Sequence, residues 1–174
     1  MWSRSDRWIK VDIDRQSLSL YEGDRRLAHW PISTALNGPG EAMDSGCTPT
    51  GEHRVRIKIG DGYPLNTVFV GRRPTGEVYD ERLAAEHPGR DWILTRILWL
   101  TGAESGRNRG GQCDTLRRYI YIHGCPDGEP IGVPRSHGCI RMRNADILEL
   151  FGQVEAGTRV VISDTSKGRD AAAV

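Results

Sequence analysis

The sequence of 174 residues lacks long apolar runs and has almost no net charge. No window approaches the roughly 18 uninterrupted apolar residues of a membrane-spanning helix, so the sequence predicts no membrane span. The 24 basic and 23 acidic residues sum to a formal charge of +1, which gives no electrostatic reason to expect nucleic acid as a partner. Its four cysteines are too few for a disulfide scaffold.

The length suits one domain, and no internal repeat or linker divides the chain. We therefore expect a single domain over residues 1–164, with residues 60–116 as a variable region or insertion. The polar and alanine-rich residues 165–174 are expected to form a disordered tail.

Alternation of polar and apolar residues predicts short strands, above all in the first half of the chain. The run Trp92–Leu100 reads as a buried strand, although a short helix fits it almost as well. Many short strands with one late helix favour a mostly β protein, a sandwich or a barrel. The clearest strand patterns are Trp8–Ile13, Ser17–Tyr21, Arg25–Ile32, His53–Ile59, Thr67–Val70 and Thr158–Ser163.

One helix is predicted after residue 143. Asn144 suits the N-cap, and Asp146 in the first turn complements the helix dipole. The spacing of four apolar residues predicts the face that packs inward. These residues are Ile147, Leu148, Phe151 and Val154.

Candidate chemistry begins in the run Tyr119–Gly124, which reads as a strand. Its isoleucines are expected to face the core, and Tyr119, Tyr121 and His123 therefore share the opposite face. His123 then lies at the end of the strand. A lone histidine in such a place is more often a structural residue than a catalyst, so its role depends on what lies nearby.

The second candidate element is Ser136-His137-Gly138-Cys139-Ile140-Arg141, in which Cys139 follows His123 by 16 positions. Nearby arginines and amide donors favour a thiolate, so we expect the pKa of Cys139 to lie below its ordinary value of about 8.5. A histidine within reach can accept the thiol proton. The backbone N–H groups around Gly138 and Cys139 could form an oxyanion hole.

These residues resemble the signature of the YkuD-type L,D-transpeptidases. The resemblance rests on His123-Gly124, on the segment from Ser136 to Arg141, and less specifically on Thr48-Pro49-Thr50-Gly51 before a strand. It is clear over residues 117–162, loose over 8–59, and absent from 60–116. It implies a mostly β catalytic domain with a short helix after the cysteine motif.

The resemblance also implies roles for individual residues. Cys139 matches the nucleophile, His123 the general base, and Gly124 the residue whose carbonyl orients that base. The other matching positions are implied to bind substrate or oxyanion or to shape the site, without a cofactor or a metal. They are Ser136, His137, Gly138, Arg141 and Tyr121.

The substrate class implied by the resemblance is the peptidoglycan tetrapeptide stem, or muropeptides derived from it. Members of the family cut before the terminal D-alanine, hold the acyl group as a thioester, and pass it to an acceptor amine. Carbapenem-type inhibitors are expected to bind. The resemblance implies a location in the cell envelope or periplasm if the protein is exported. The N-terminus shows no secretory signal, so the cytoplasm is the alternative location.

Several alternatives remain open at this stage. An L,D-carboxypeptidase or another cysteine amidase would use the same residues for hydrolysis, and a wall-binding module could keep a relic site. A zinc-binding module could use the two His-x-Cys pairs, His123/Cys125 and His137/Cys139. A disulfide between Cys125 and Cys139 could silence the enzyme. Arg135 or Arg141 could bind substrate carboxylates, or pair with Asp127, Glu129 or Asp146.

Overall fold

The computed structural model describes residues 6–165. This range contains ten strands: β1 (Arg7–Asp12), β2 (Ser17–Glu22), β3 (Arg25–Pro31), β4 (Gly51–Ile59), β5 (Thr67–Val70), β6 (Arg73–Val78), β7 (Ile93–Gly102), β8 (Tyr121–Cys125), β9 (Ile140–Arg143) and β10 (Arg159–Ser163). Helix α1 (Glu81–Glu86) follows β6, α2 (Asn144–Gln153) follows β9, and a short 3-10 helix spans Gly111–Cys113. The prediction of a mostly β protein with a helix after the cysteine motif is confirmed.

The strands form one curled sheet in the order β3-β2-β1-β10-β4-β7-β5-β6, and β8 and β9 branch from β7. Two pairs, β1 with β10 and β8 with β9, are parallel. The other pairs are antiparallel. Among them, β1–β2, β2–β3 and β5–β6 are joined by short turns, which antiparallel pairing allows. The run from 92 to 100 is therefore a strand and not a helix. β3 is an edge strand and ends at Pro31, where a missing N–H costs no ladder bond.

Helix α2 covers the inner face of β7, β8 and β9. Ile147, Leu150 and Phe151 are buried in the main core, whereas Leu148 is 39% exposed. The predicted inward face was therefore wrong at Leu148, and Leu150 takes its place. The buried spacing of i, i+3 and i+4 forms a narrower stripe than the sequence pattern indicated.

The predicted capping role of Asn144 was also wrong. The N-cap of α2 is Arg143, and no side chain caps the helix there. Asn144 is the first helical residue, and its side chain is 1% exposed. A buried amide must satisfy its hydrogen bonds within the protein, and this requirement, rather than capping, determines its partners.

The region 60–116, which the sequence predicted to be a variable region or insertion, contributes to the fold and to the site. It supplies β5, β6, α1 and β7, and β7 pairs with β4, β5 and β8. Residues 166–174 of the predicted tail lie outside the described range. Thr165 lies inside it and donates its N–H to Asp14 at 2.7 Å. Within residues 6–165, no helix is long and apolar enough to cross a bilayer.

Candidate active site

Strand β8 carries the candidate base. Ile122 pairs with Ile140 of β9 and lies in the main core. Tyr121 belongs to a smaller apolar cluster with Phe69 and Ile97, against which Cys139 packs. The predicted alternation is thus confirmed for the strand itself. Tyr119 departs from it, because it precedes β8 with a φ of 56° and is about half exposed.

The ring of His123 is buried and its orientation is fixed from within the strand. His123 Nδ1 lies 2.7 Å from the carbonyl oxygen of Gly124. Because a carbonyl oxygen only accepts hydrogen bonds, Nδ1 carries the proton in this contact. In the neutral ring, Nε2 is then unprotonated and available to accept a proton.

The loop before β9 brings Cys139 to the same place. Ser33 and Arg141 exchange two backbone hydrogen bonds of 2.9 and 2.8 Å, which tie β9 to the segment after β3. The N–H of Ser136 donates to the Thr34 carbonyl at 2.9 Å and ties the loop itself to the same segment. Thr48 donates from Oγ1 to the Gly138 carbonyl at 2.9 Å, so the predicted Thr48-Pro49-Thr50-Gly51 motif contacts the cysteine loop directly. Ser136 Oγ donates to the Cys139 carbonyl at 2.5 Å.

Gly138 has a backbone conformation that other residues rarely adopt. Its φ is +136°, and a Cβ built on it would lie 3.2 Å from both the Cys47 carbonyl oxygen and Ile120 Cδ1. The turn that leads into Cys139 therefore requires glycine for conformational and steric reasons.

The sulfur of Cys139 has two backbone partners. The N–H of Tyr121 donates to Sγ at 3.3 Å, and Sγ lies 3.3 Å from the carbonyl oxygen of Tyr119, to which its own proton can be donated. The positive φ of Tyr119 turns this carbonyl toward the sulfur. The resting thiol is thus held between Tyr119, which precedes β8, and Tyr121, which begins it.

The expected low pKa of Cys139 was wrong. Burial raises its pKa to about 12, and this effect outweighs the hydrogen bond from Tyr121 and the charges of Arg141 and Arg118. Burial also lowers the pKa of His123, although the Gly124 carbonyl opposes that shift. Desolvation penalises both charged forms, so the resting pair is a neutral thiol and a neutral imidazole.

Cys139 and His123 line one small cavity of about 130 Å³. The sequence-predicted residues Ser136, His137 and Arg141 line it as well, together with Asp91, Arg118, Tyr119 and Ile120. Gly124, Gly138 and Tyr121 do not line it. They contribute through the backbone contacts described above.

Arg141 pairs with a residue that the sequence did not single out. Its Nη2 lies 3.1 Å from Asp91 Oδ1, not beside Asp127, Glu129 or Asp146. The other carboxylate oxygen of Asp91 lies 3.8 Å from His137 Nδ1. Asp91 comes from the region before β7, where no local pattern marked it. Its position depends on the pairing of β7 with β8.

Two further arginines border the site. Arg118 is partly buried, and its Nη2 donates to the Cys47 carbonyl at 2.6 Å. Arg72 stacks over the rings of Trp99 and Tyr119 and donates to the Tyr121 hydroxyl at 3.2 Å. Neither stood out among the 21 arginines of the sequence, because only their tertiary contacts distinguish them.

Two grooves meet at this cavity, and His137 lines both of them. One measures about 410 Å³ and shares Asp91 and Arg141 with the cavity. It also contains Arg135, which is exposed and has no ion pair within residues 6–165. The other measures about 430 Å³ and shares Arg118 and Tyr119 with the cavity.

Cys125 lies apart from this arrangement. It pairs with Arg143 of β9, four residues beyond Cys139, which is about 13 Å at ~3.3 Å per residue. A disulfide needs Cα atoms within about 7 Å, so the hypothesised Cys125–Cys139 bridge does not fit this register. All four cysteines are free.

The zinc alternative needs all four residues of the two His-x-Cys pairs, and Cys125 does not line the cavity that His123, His137 and Cys139 share. Cys125 Sγ instead contacts the Met142 carbonyl at 3.4 Å. Within residues 6–165, no cluster of three or more histidine, cysteine or acidic residues is arranged to hold a metal ion.

Comparison with known proteins identifies the class to which this site belongs. The family model described as YkuD, the L,D-transpeptidase catalytic domain, matches residues 6–162. The chain belongs to this family, and both His123 and Cys139 lie within the matched range.

Individual relatives agree with this membership. The chain is 29% identical over 155 residues to a Bacillus licheniformis protein named L,D-transpeptidase YkuD, covering 89% of this chain and 64% of that protein. It is 40% identical over 127 residues to the Bacillus subtilis protein named L,D-transpeptidase YqjB, covering 73% and 58%. The chain thus spans about three fifths of the length of these relatives.

The fold is shared with solved L,D-transpeptidases. L,D-transpeptidase 3 from Mycobacterium tuberculosis, solved with a faropenem-derived adduct, superposes with a TM-score of 0.56 at 16% identity. The match covers 91% of this chain and 60% of that one. At this level of identity the likeness establishes the common fold.

Proposed function

We propose that the protein is an L,D-transpeptidase that acts on peptidoglycan tetrapeptide stems through Cys139 and His123. The observation that carries the proposal is the short contact between His123 Nδ1 and the Gly124 carbonyl. It leaves Nε2 as the free base in the cavity that Cys139 also lines. Membership of the YkuD family supports the same reaction class.

In the first half of the reaction, His123 Nε2 accepts the thiol proton as Sγ attacks the carbonyl of the third stem residue. The bond to the terminal D-alanine then breaks, and the imidazolium returns the proton to the departing amine. A thioester to Cys139 remains. Because the resting pair is neutral, charge develops only during the attack, and donors preorganised around the new oxyanion lower the barrier.

In the second half, an acceptor amine attacks the thioester. His123 accepts the proton of this amine and returns it to the departing sulfur, so the enzyme regains its neutral thiol. If water takes the place of the amine, the product is a tripeptide and the reaction is that of an L,D-carboxypeptidase. The same residues perform both reactions.

The two grooves at His137 favour transfer over hydrolysis, because transfer requires two peptides at the cavity at once. We propose that the groove with Arg135 receives the donor stem. Its guanidinium has no ion pair among the described residues and can bind a carboxylate in a bidentate way. Arg141 serves instead to hold Asp91 at the rim.

The test uses a purified disaccharide-tetrapeptide monomer as substrate. Mass spectrometry of the products should detect release of D-alanine and formation of a cross-linked dimer. Tripeptide without any dimer, at high monomer concentration, would establish the carboxypeptidase alternative. An intact substrate after incubation with folded protein would refute both reactions.

A further inference from the structure

A buried polar cluster adjoins Gly124, the partner of the candidate base, and none of its side chains lines the cavity. Asn144, which begins α2, is its centre. The two N–H bonds of Nδ2 are shared among three acceptors, the Cys125 carbonyl at 2.8 Å, Asn66 Oδ1 at 2.9 Å and Asp127 Oδ1 at 3.2 Å. Oδ1 accepts from Thr95 Oγ1 at 2.6 Å. One side chain thus links α2, β7, the end of β8 and two loops.

Thr95 has a backbone conformation that is rare for its residue type. It is fully buried and has a φ of +72°, which a β-branched residue seldom adopts. It lies in an irregular stretch of β7, between Leu94, which pairs with Gly124, and Ile97, which pairs with His123. Strain of this kind persists only where the surroundings enforce it, and it is concentrated at functional sites.

Asn144 also packs directly on Gly124. A Cβ at Gly124 would lie 2.5 Å from Asn144 Oδ1 and 2.6 Å from the Leu94 carbonyl oxygen. The backbone of Gly124 is therefore confined between the asparagine and β7. The carbonyl of this same residue accepts the hydrogen bond from His123 Nδ1.

We infer that Asn144, held in place by the Thr95 hydroxyl, is a positioning residue for His123. The two side chains fix the peptide of Gly124, and the Gly124 carbonyl then fixes the tautomer and the orientation of the imidazole. The inference rests on the proposed function of His123 as the base. Neither side chain lines the cavity, so neither touches the substrate there.

A second buried asparagine provides a matched control. Asn108 is fully buried and donates to the carbonyls of Thr50 and Glu52 at 3.1 and 3.0 Å. Its Oδ1 accepts from the Glu104 N–H at 2.9 Å, and a Cβ at Gly102 would lie 2.4 Å from that oxygen. It resembles Asn144 in its burial and in its contact with a glycine, and it neither lines the cavity nor contacts His123 or Gly124.

The experiment compares Asn144→Ala with Asn108→Ala in the full chain. Both should lower the melting temperature to a similar extent. Asn144→Ala should lower kcat on the tetrapeptide monomer by roughly 10- to 100-fold, with KM changed less than twofold, because small misplacement of a catalytic group is costly. Asn108→Ala should keep kcat within twofold of wild type. Equal kcat values for the two variants would overturn the inference.

A second pair of variants decides the matter if Asn144→Ala does not fold. Thr95→Ser keeps the hydroxyl and should retain kcat, whereas Thr95→Ala removes it and should lose at least fivefold. Both variants lack the γ-methyl group, so packing alone predicts no difference between them. Equal activity of these two variants would contradict the inference.

Nitrogen-15 NMR of the histidine ring separates failure of this inference from failure of the proposed function. Wild type and Thr95→Ser should show His123 protonated on Nδ1, and Thr95→Ala should show a mixture of tautomers. If wild type fails to convert the stem, the proposed function is wrong, and the tautomer measurement still tests the positioning role. An unchanged tautomer in Thr95→Ala would overturn that role.

Discussion

The chain contains the tripeptide His-Gly-Cys twice, and the two copies have opposite uses. In the first copy, within β8, the histidine faces the candidate cavity, and Cys125 is buried away from it against the Met142 carbonyl. In the second copy, in the loop before β9, the cysteine faces the cavity, and the side chain of His137 is 81% exposed. Identical residues thus acquire different chemistry from the backbone that carries them.

The difference originates in the glycine of each copy. Gly124 is part of a strand, is confined by Asn144 and the Leu94 carbonyl, and contributes its carbonyl to His123. Gly138 has a φ of +136° and turns the chain so that the sulfur of Cys139 reaches the N–H of Tyr121. The extended copy carries the proposed base, and the turned copy presents the proposed nucleophile.

The largest expected effect concerns the two cysteines. Cys139→Ala should lower turnover of the tetrapeptide monomer by roughly 10³-fold or more, because a covalent step without its nucleophile cannot proceed. Cys125→Ala should stay within about twofold of wild type. Intact mass after incubation with a carbapenem provides the second measurement. A mass gain is expected in wild type and Cys125→Ala and not in Cys139→Ala, and an adduct on Cys125 would refute the assignment.

The two histidines should differ nearly as much. His123→Ala should lose roughly 10²- to 10³-fold in kcat, in the range that general acid–base catalysis contributes. His137→Ala should lose less than tenfold, mainly through KM, because its ring lies at the junction of the two grooves. Steady-state kinetics on the monomer measures both. Comparable loss of kcat in the two variants would mean that His137 takes part in proton transfer.

The pH dependence of thiol alkylation tests the resting state of the nucleophile. With a pKa raised to about 12, Cys139 should react slowly with iodoacetamide at pH 8. Its rate should keep rising about tenfold per pH unit beyond pH 9. A variant with Cys47→Ser and Cys113→Ser isolates this signal from the other partly exposed thiols. A plateau near pH 8.5 would indicate an ordinary or activated thiol and contradict the neutral pair.

The smallest effect concerns stability. Burial lowers the pKa of His123, so the unfolded state binds a proton as pH falls through about 6.5 while the folded state does not. The free energy of unfolding should therefore decrease on acidification, by up to ~1.4 kcal/mol per pH unit for one proton. Urea unfolding at several pH values between 7 and 5 measures this slope. His123→Asn should reduce this slope without abolishing it, because burial also lowers the pKa of His53, to about 4. An unchanged slope would contradict the prediction.

Local patterns predicted most of the strands. The alternation of polar and apolar residues predicted the bounds of β1, β2, β4 and β10 to within one or two residues. This works because residues two apart in a strand share a face of the sheet, independently of the rest of the chain. The same reasoning failed for Leu148 and for the capping role of Asn144. In both cases packing against distant strands determined what was buried, and a helical pattern does not contain that information.

The candidate site was predictable in its residue types and not in its electrostatics. The motif identified His123, Gly124 and Cys139, and the structure brings His123 and Cys139 to one cavity. The charges around the cysteine suggested a thiolate, yet desolvation outweighs them. Asp91 and Thr95 were missed because their roles depend on the register of β7 against β8.

The sequence by itself determined the order of the strands along the chain, the helix after the motif, and the presence of a thiol and an imidazole able to share a proton. Only the tertiary structure decided which histidine of the two His-Gly-Cys copies is buried and which cysteine faces the cavity. The physical reason is that side-chain alternation is a local property. The parallel register of β8 and β9, and the turn at Gly138, arise from packing between residues far apart in the chain.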